Sequence, residues 1–228
     1  MWVPAVEAAF LGGLLCLDRI VVQVMLSRPI VSASLVGASL GDPATGLIAG
    51  AMVELLWIDR FPMGRYLPPN DTTVAVLVSA GSIVAGNTMG CVSKELITLA
   101  VLLFAPAAYV AQAGDRMIAR SNDGMLETLE SCAEKGDIKT VARKHRLAMV
   151  KTFIMSATLI FILLVPGIMI LEGLFPLLTE RIIRTLNLAY HFVPIVGIAV
   201  ALSTIKIRGT VPIFSGLFLV AVVLRGLL

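Results

Sequence analysis

The sequence predicts an all-α integral membrane protein: a polytopic helical bundle with broken or re-entrant half-helices in its N-terminal part and a short cytoplasmic helical hairpin. Three observations carry this. Of 228 residues, 58% are hydrophobic and 14% charged, with mean hydropathy +0.95; a soluble chain of this length needs more polar surface. The apolar stretch 29–58 is interrupted near its middle by Gly41, Asp42 and Pro43. Eight of the eighteen Lys and Arg residues crowd into 115–151, between apolar runs.

At the start, Trp2 suits a membrane interface, and an apolar run broken only by Glu7 continues to Leu17. No basic leader precedes it, so this first segment is expected to be retained rather than cleaved. Asp18, Arg19 and Gln23 then end the apolar character before Arg28 and Pro29. Asp42 suits an N-cap and Pro43 a first helical position, so 29–58 divides into half-helices of about 13 and 16 residues. Each is about 20 to 24 Å long, short of the ~30 Å hydrocarbon core. A broken apolar segment persists at membrane depth only where its freed backbone groups are buried in protein or line a wet cavity.

The polar loop 59–71 holds Pro62, Gly64, Pro68 and Pro69, leaving Asn70 or Asp71 to cap the next helix. Spans are expected at 72–92 and 96–113 as a tight antiparallel pair. In 115–151, Met125, Leu129 and Cys132 recur at helical spacing, Gly136 can end that helix and Asp137 can cap another reaching Lys151. A short basic loop of this kind belongs in the cytoplasm. Spans at 152–171, kinked at Pro166, at 186–205 and at 211–228 complete the chain. One membrane domain thus covers 1–228: a substrate region at 1–71, a helical pair at 72–114, the amphipathic insertion at 115–151 and C-terminal spans at 152–228.

Cys16, Cys91 and Cys132 have no metal-ligand spacing. The basic residues lack an aromatic platform for nucleic acid. No phosphate-cradling loop or catalytic triad is present, and no cofactor is expected.

Glu54 is the foremost candidate, because an ionisable residue in an apolar segment faces a bundle interior or a water-filled path. It reads either as a substrate or gating residue or as the ion-pair partner of Arg28, Arg60 or Arg65. Gly37 with Gly41, and Gly46 with Gly50, form small-xxx-small pairs that let helices approach closely. Asp18 and Arg19 belong either to the site or to a pair at the membrane surface. Asn70 and Asp71 read as helix caps or as sugar ligands. His191 reads as a proton relay or as a satisfied histidine, His145 as solvated, and Glu172 as a boundary residue.

The series Arg28, Pro29, Leu35, Val36, Gly37, Leu40, Gly41, Asp42, Thr45, Gly46, Gly50, Glu54 and Leu55 resembles the IIC component of bacterial phosphotransferase system (PTS) sugar permeases of the mannose, fructose and sorbose type. The resemblance implies a sugar-translocating subunit of the bacterial cytoplasmic membrane. It would pair with a IID membrane subunit, as a hetero-oligomer of IIC/IID pairs, and be served by phosphoenolpyruvate-dependent IIA and IIB components that carry the phosphoryl group. It implies no phosphoryl carrier in this chain, and a substrate region containing Glu54, Gln23, Gly64, Asn70 and Asp71. Two positions depart from the family pattern. Met25 stands where a Gln is common, with Gln23 expected to point elsewhere, and Pro62 stands where an Asn is common. The alternative implied by these departures is a non-transporting docking or regulatory subunit for PTS proteins.

Overall fold

The computed structural model describes residues 1–60 and 66–204, together with Pro212, Ile213, Ser215, Gly216, Leu219 and Val220. Every regular element among the described residues is helical, without a strand. The elements are α1 (Trp2–Leu17), a π-helical turn (Asp18–Val22), α2 (Pro29–Ser39), α3 (Pro43–Leu56), α4 (Asp71–Met89), α5 (Lys94–Phe104), α6 (Ala107–Asp123), α7 (Leu126–Glu134), α8 (Ile138–Leu174) and α9 (Glu180–Thr204). Among the described residues three helices are long and apolar enough to cross a membrane: α4, α8 and α9. The α5–α6 pair, bent by 41°, makes a fourth if it counts as one span.

The broken segment is a helical hairpin that folds back on itself. Gly41 has φ +87°, and the Asp42 N–H donates to the Gly37 carbonyl at 2.8 Å, which closes α2. The Asp42 carboxylate then accepts from the Thr45 N–H at 3.0 Å and opens α3. Gly37, Gly46 and Gly50 lie where the two backbones meet. A Cβ on Gly37 would stand 2.6 Å from the Asp42 carbonyl oxygen and 2.8 Å from the Gly46 Cα; one on Gly50 would stand 2.6 Å from the Pro29 carbonyl oxygen. The small-residue contact therefore differs from the expected i, i+4 pairing, because Gly41 serves the turn and touches nothing across it. Pro29 and Gly50 meet near the open end and Gly37 and Gly46 near the tip, so the helices are antiparallel. At 11 and 14 residues they reach only about 17 to 21 Å.

Gly46→Leu is expected to destabilise by at least the ~1–3 kcal/mol of an overpacked core, because backbone rather than a movable side chain receives the added atoms. Gly41→Ala is expected to cost only about 1 kcal/mol, from its positive φ. Thermal unfolding of the detergent-solubilised protein would rank the two variants, and equal melting temperatures would contradict the backbone contact.

Helix α4 is the centre of the bundle, with Val74, Val76, Leu77 and Val78 fully buried. Its Asn70 cap accepts from the Thr73 N–H at 3.0 Å. The Phe104 ring at the end of α5 wedges between Gly81 of α4 and Gly167 of α8, where no larger residue fits. One expected span, 96–113, is bent at Ala105 and Pro106: proline lacks the N–H that would continue the α5 ladder.

Gly136 (φ +70°) ends α7, and Asp137 caps α8 by accepting from the Thr140 N–H, as the spacing indicated. Hydrogen bonds from the Thr140 side chain and backbone hold the Asp137 carboxyl below the usual carboxylate range. From there α8 runs without interruption through Lys151 to Leu174, 37 residues in all. The change from charged to apolar composition near Lys151 is a change of surroundings along one helix, not a helix boundary. Pro166 lies inside it. Helix α9 packs on the hairpin, its Gly197 closing on Leu55, while His191 lies on the exposed side with its ring edge-on to Tyr190 at 5.2 Å. The expected span 211–228 lies largely outside the described residues.

Candidate functional site

A polar cleft opens where the π-helical turn, the loop before α2 and the start of α4 converge. Its volume is about 450 Å³, and it is lined by Asp18, Arg19, Gln23, Met25, Ser27, Arg28, Arg60, Pro68, Asp71 and Thr72. Small-molecule sites occupy about 300–1,000 Å³.

Asp18 organises this loop. Its carboxylate is almost wholly buried and accepts from the Val24 and Ser27 N–H groups, both at 2.9 Å. Gripping the chain at these two points, while the Gln23 N–H returns to the Asp18 carbonyl at 2.8 Å, winds the intervening residues tightly. Gln23 (φ 56°) and Met25 (φ 68°) consequently occupy the left-handed region, costing of order 1–3 kcal/mol each. Such strain and π-helical turns both concentrate at functional sites. Asp18 and Arg19, read from sequence as part of the site or as a pair at the membrane surface, both line the cleft; Asp18 binds backbone there, and Arg19 pairs with Asp71.

Arg19 closes the other wall. Its Nη1 donates to Asp71 Oδ1 at 2.7 Å, and its Nη2 donates to the Pro68 and Pro69 carbonyls at 3.0 and 3.1 Å. The Thr72 hydroxyl donates to the Ser27 carbonyl at 2.6 Å, tying α4 to the loop. The Pro69 carbonyl also accepts from the Asp71 N–H at 3.0 Å, so the guanidinium adds a second donor there and supplies one to the Pro68 carbonyl.

The site residues expected from sequence divide. Gln23 and Asp71 both line the cleft. Gln23 is not on a continuing helix, as its expected direction assumed; its left-handed backbone brings it to the same cleft as Met25, and its amide has no partner among the described residues. Glu54 stands behind the cleft, accepting from Arg28 Nη2 at 2.7 Å and the Ile30 N–H at 3.3 Å. Of its possible ion-pair partners among the described residues, Arg28 is the one it meets, and Arg28 reaches into the cleft. Asn70 lies elsewhere: it is 1% exposed, caps α4 and donates from Nδ2 to Asp115 Oδ2 at 2.9 Å. Gly64, Pro62 and Arg65 lie outside the described residues. Ser27 and Thr72 join the cleft without any sequence signal that singled them out, and Arg60, read from sequence only as a possible partner of Glu54, joins it as well.

The cleft lies at the end of the bundle that carries the basic overhang. Asn70 is bonded to Asp115, and six residues further along α6 Ser121 meets Lys151 of α8 at 3.2 Å, a rise of about 9 Å. The opposite end is marked by the Thr88 hydroxyl donating to Glu172 at 2.9 Å.

A multi-pass helical bundle with a re-entrant hairpin beside a polar cleft is the build of a membrane transport subunit. The chain belongs to the family described as the PTS system sorbose-specific IIC component, whose family model matches residues 3–227. Over 188 residues it is 21% identical to the PTS system mannose-specific EIIC component of Escherichia coli (strain K12), covering 82% of this chain and 68% of that protein. It is 28% identical over 197 residues to the fructose permease IIC component of Bacillus subtilis (strain 168), covering 85% and 69%. A cryo-EM structure of the mannose transporter ManYZ in complex with microcin E492 shares its fold, with TM-score 0.62 and 19% identity over 97% of this chain and 87% of the matched one. A second solved structure, described as a membrane protein, gives TM-score 0.76 at 18% identity over the same shares.

Proposed function

We propose that this chain, a PTS IIC component, carries a sugar across the bacterial cytoplasmic membrane together with a IID subunit and presents it to IIB for phosphorylation. The observation that carries this reading is the cleft itself. It combines the Gln23 amide, which has no partner among the described residues, the Arg28 and Arg60 guanidiniums and strained, fixed backbone, a set suited to an uncharged polyhydroxylated ligand. Its position at the basic end supports delivery to IIB in the cytoplasm. The short hairpin and the exposed apolar faces of α1 and α9 support a membrane neighbour that covers them. Uptake and phosphorylation of mannose, fructose and sorbose by the complex reconstituted with IID, IIB and IIA test the proposal. Transport of at least one is expected.

The second reading, a non-transporting docking or regulatory subunit, is favoured by Met25, a 72% exposed thioether side chain where the family resemblance calls for an amide. An assembled complex that binds IIB yet moves none of the sugars would establish it. Orientation is tested separately. With Cys91 and Cys132 replaced by Ser, a Lys135→Cys variant is expected to react in intact cells only with a membrane-permeant maleimide. Reaction with an impermeant reagent would place the basic end outside.

A further inference from the structure

A second cleft, of about 460 Å³, lies between the start of α7 and the overhanging part of α8. It is lined by Met125, Arg143, Lys144, Arg146, Leu147 and Val150. Its chemistry is divided, with three cations at one end and an apolar floor at the other. Among the described side chains, which do not include that of Glu127, no carboxylate comes within ion-pair distance of these cations.

The position of this cleft along α8 defines its setting. The apolar part of α8, from Thr152 to Leu174, is roughly 34 Å long and spans the ~30 Å hydrocarbon core with modest tilt. Lys151 therefore marks the boundary. Leu147 lies about 6 Å beyond it and Arg143 about 12 Å, which brackets the headgroup layer. The exposed residues Leu147, Val150, Ile154, Ile162 and Met169 share one face of the helix, so an apolar stripe continues from the bilayer into the floor of the cleft. A soluble anion would use the cations and leave that floor unsatisfied. An amphiphile with an anionic head uses both.

We propose that this cleft binds an anionic phospholipid, its glycerophosphate group on Arg143 and Arg146 and its acyl chains along Leu147, Val150 and Ile154. The flexible stem of Lys144 adds a third cation from the rim. The site is separate from the polar cleft and requires no transport.

Delipidated IIC/IID complex is titrated with phosphatidylglycerol or phosphatidylcholine and bound lipid is counted by native mass spectrometry. Phosphatidylglycerol is expected to bind at least tenfold more tightly. Each juxtamembrane cation contributes about fivefold, so Arg143→Gln with Arg146→Gln is expected to lower that affinity by about thirtyfold. Lys135→Gln with Lys139→Gln removes the same charge from exposed positions outside the cleft and is expected to change affinity only a few-fold. Equal affinity for the two lipids, or equal losses in the two double variants, would overturn the site. Competition by glycerol 3-phosphate at lipid-like concentrations would show a soluble-phosphate site instead and equally overturn it. So would a face covered by a protein subunit with no phospholipid retained.

Discussion

Arg19→Ala is expected to cost roughly 3–5 kcal/mol and to dismantle the polar cleft. That magnitude applies to buried ion pairs that lose one partner. It applies here with little discount, because the Arg19 and Asp71 side chains are only 14% and 23% exposed. The substitution also strips donors from the Pro68 and Pro69 carbonyls and frees the segment that leads into α4. Arg19→Lys keeps the charge but cannot span Asp71 and both carbonyls, so an intermediate loss is expected. Fluorescence-detected size exclusion and thermal unfolding of the IIC/IID complex measure both effects. A melting temperature unchanged in Arg19→Ala would sink the assignment of this guanidinium as the clamp between the π-helical turn and α4.

Glu54→Gln is the second large effect, and its signature is functional rather than structural. The variant preserves the side-chain shape but leaves Arg28 without its carboxylate at the mouth of the hairpin. Arg28 is 45% exposed and Glu54 15%, so the stability cost lies between the ~0.5 kcal/mol of a surface pair and the ~3–5 kcal/mol of a buried one. Assembly is therefore expected to survive. Uptake is expected to fall tenfold or more, because Glu54 fixes the direction of a guanidinium that lines the cleft. If Glu54→Gln and Glu54→Ala both leave uptake and sugar affinity at parental levels, Glu54 has no part in the site. Loss of assembly without a separable transport defect would make it a purely structural partner of Arg28.

Much of the hairpin was legible because its signals are local. Gly41, Asp42 and Pro43 each supply what a helix end or start requires, and the structure uses them in those roles. Gly136 and Asp137 behave alike at the α7–α8 turn. The site was less legible. Neither Gln23 nor Met25 belongs to the residue types that favour a left-handed backbone, and the grip that puts them there comes from Asp18, five and seven residues earlier. A helical extrapolation therefore sent Gln23 the wrong way. The Asn70–Asp115 bond joins residues 45 apart in the chain, and nothing in the local pattern at either one announces it. Composition also misled at Lys151, because hydropathy reports a helix's surroundings while backbone hydrogen bonding determines where it ends.

Protection of a cysteine placed in the cleft beside the hairpin reads out whether sugar occupies it. Met25→Cys, in a background with Cys91 and Cys132 replaced by Ser, puts a thiol on the lining while leaving Gln23, Arg28 and Asp71 intact. Thiosulfonate modification of the assembled IIC/IID complex is followed with and without saturating mannose, fructose or sorbose. The sugar the complex transports is expected to slow modification at this position several-fold, and a sugar it does not transport is expected to leave the rate unchanged. Intact uptake together with modification rates indifferent to the transported sugar would contradict it.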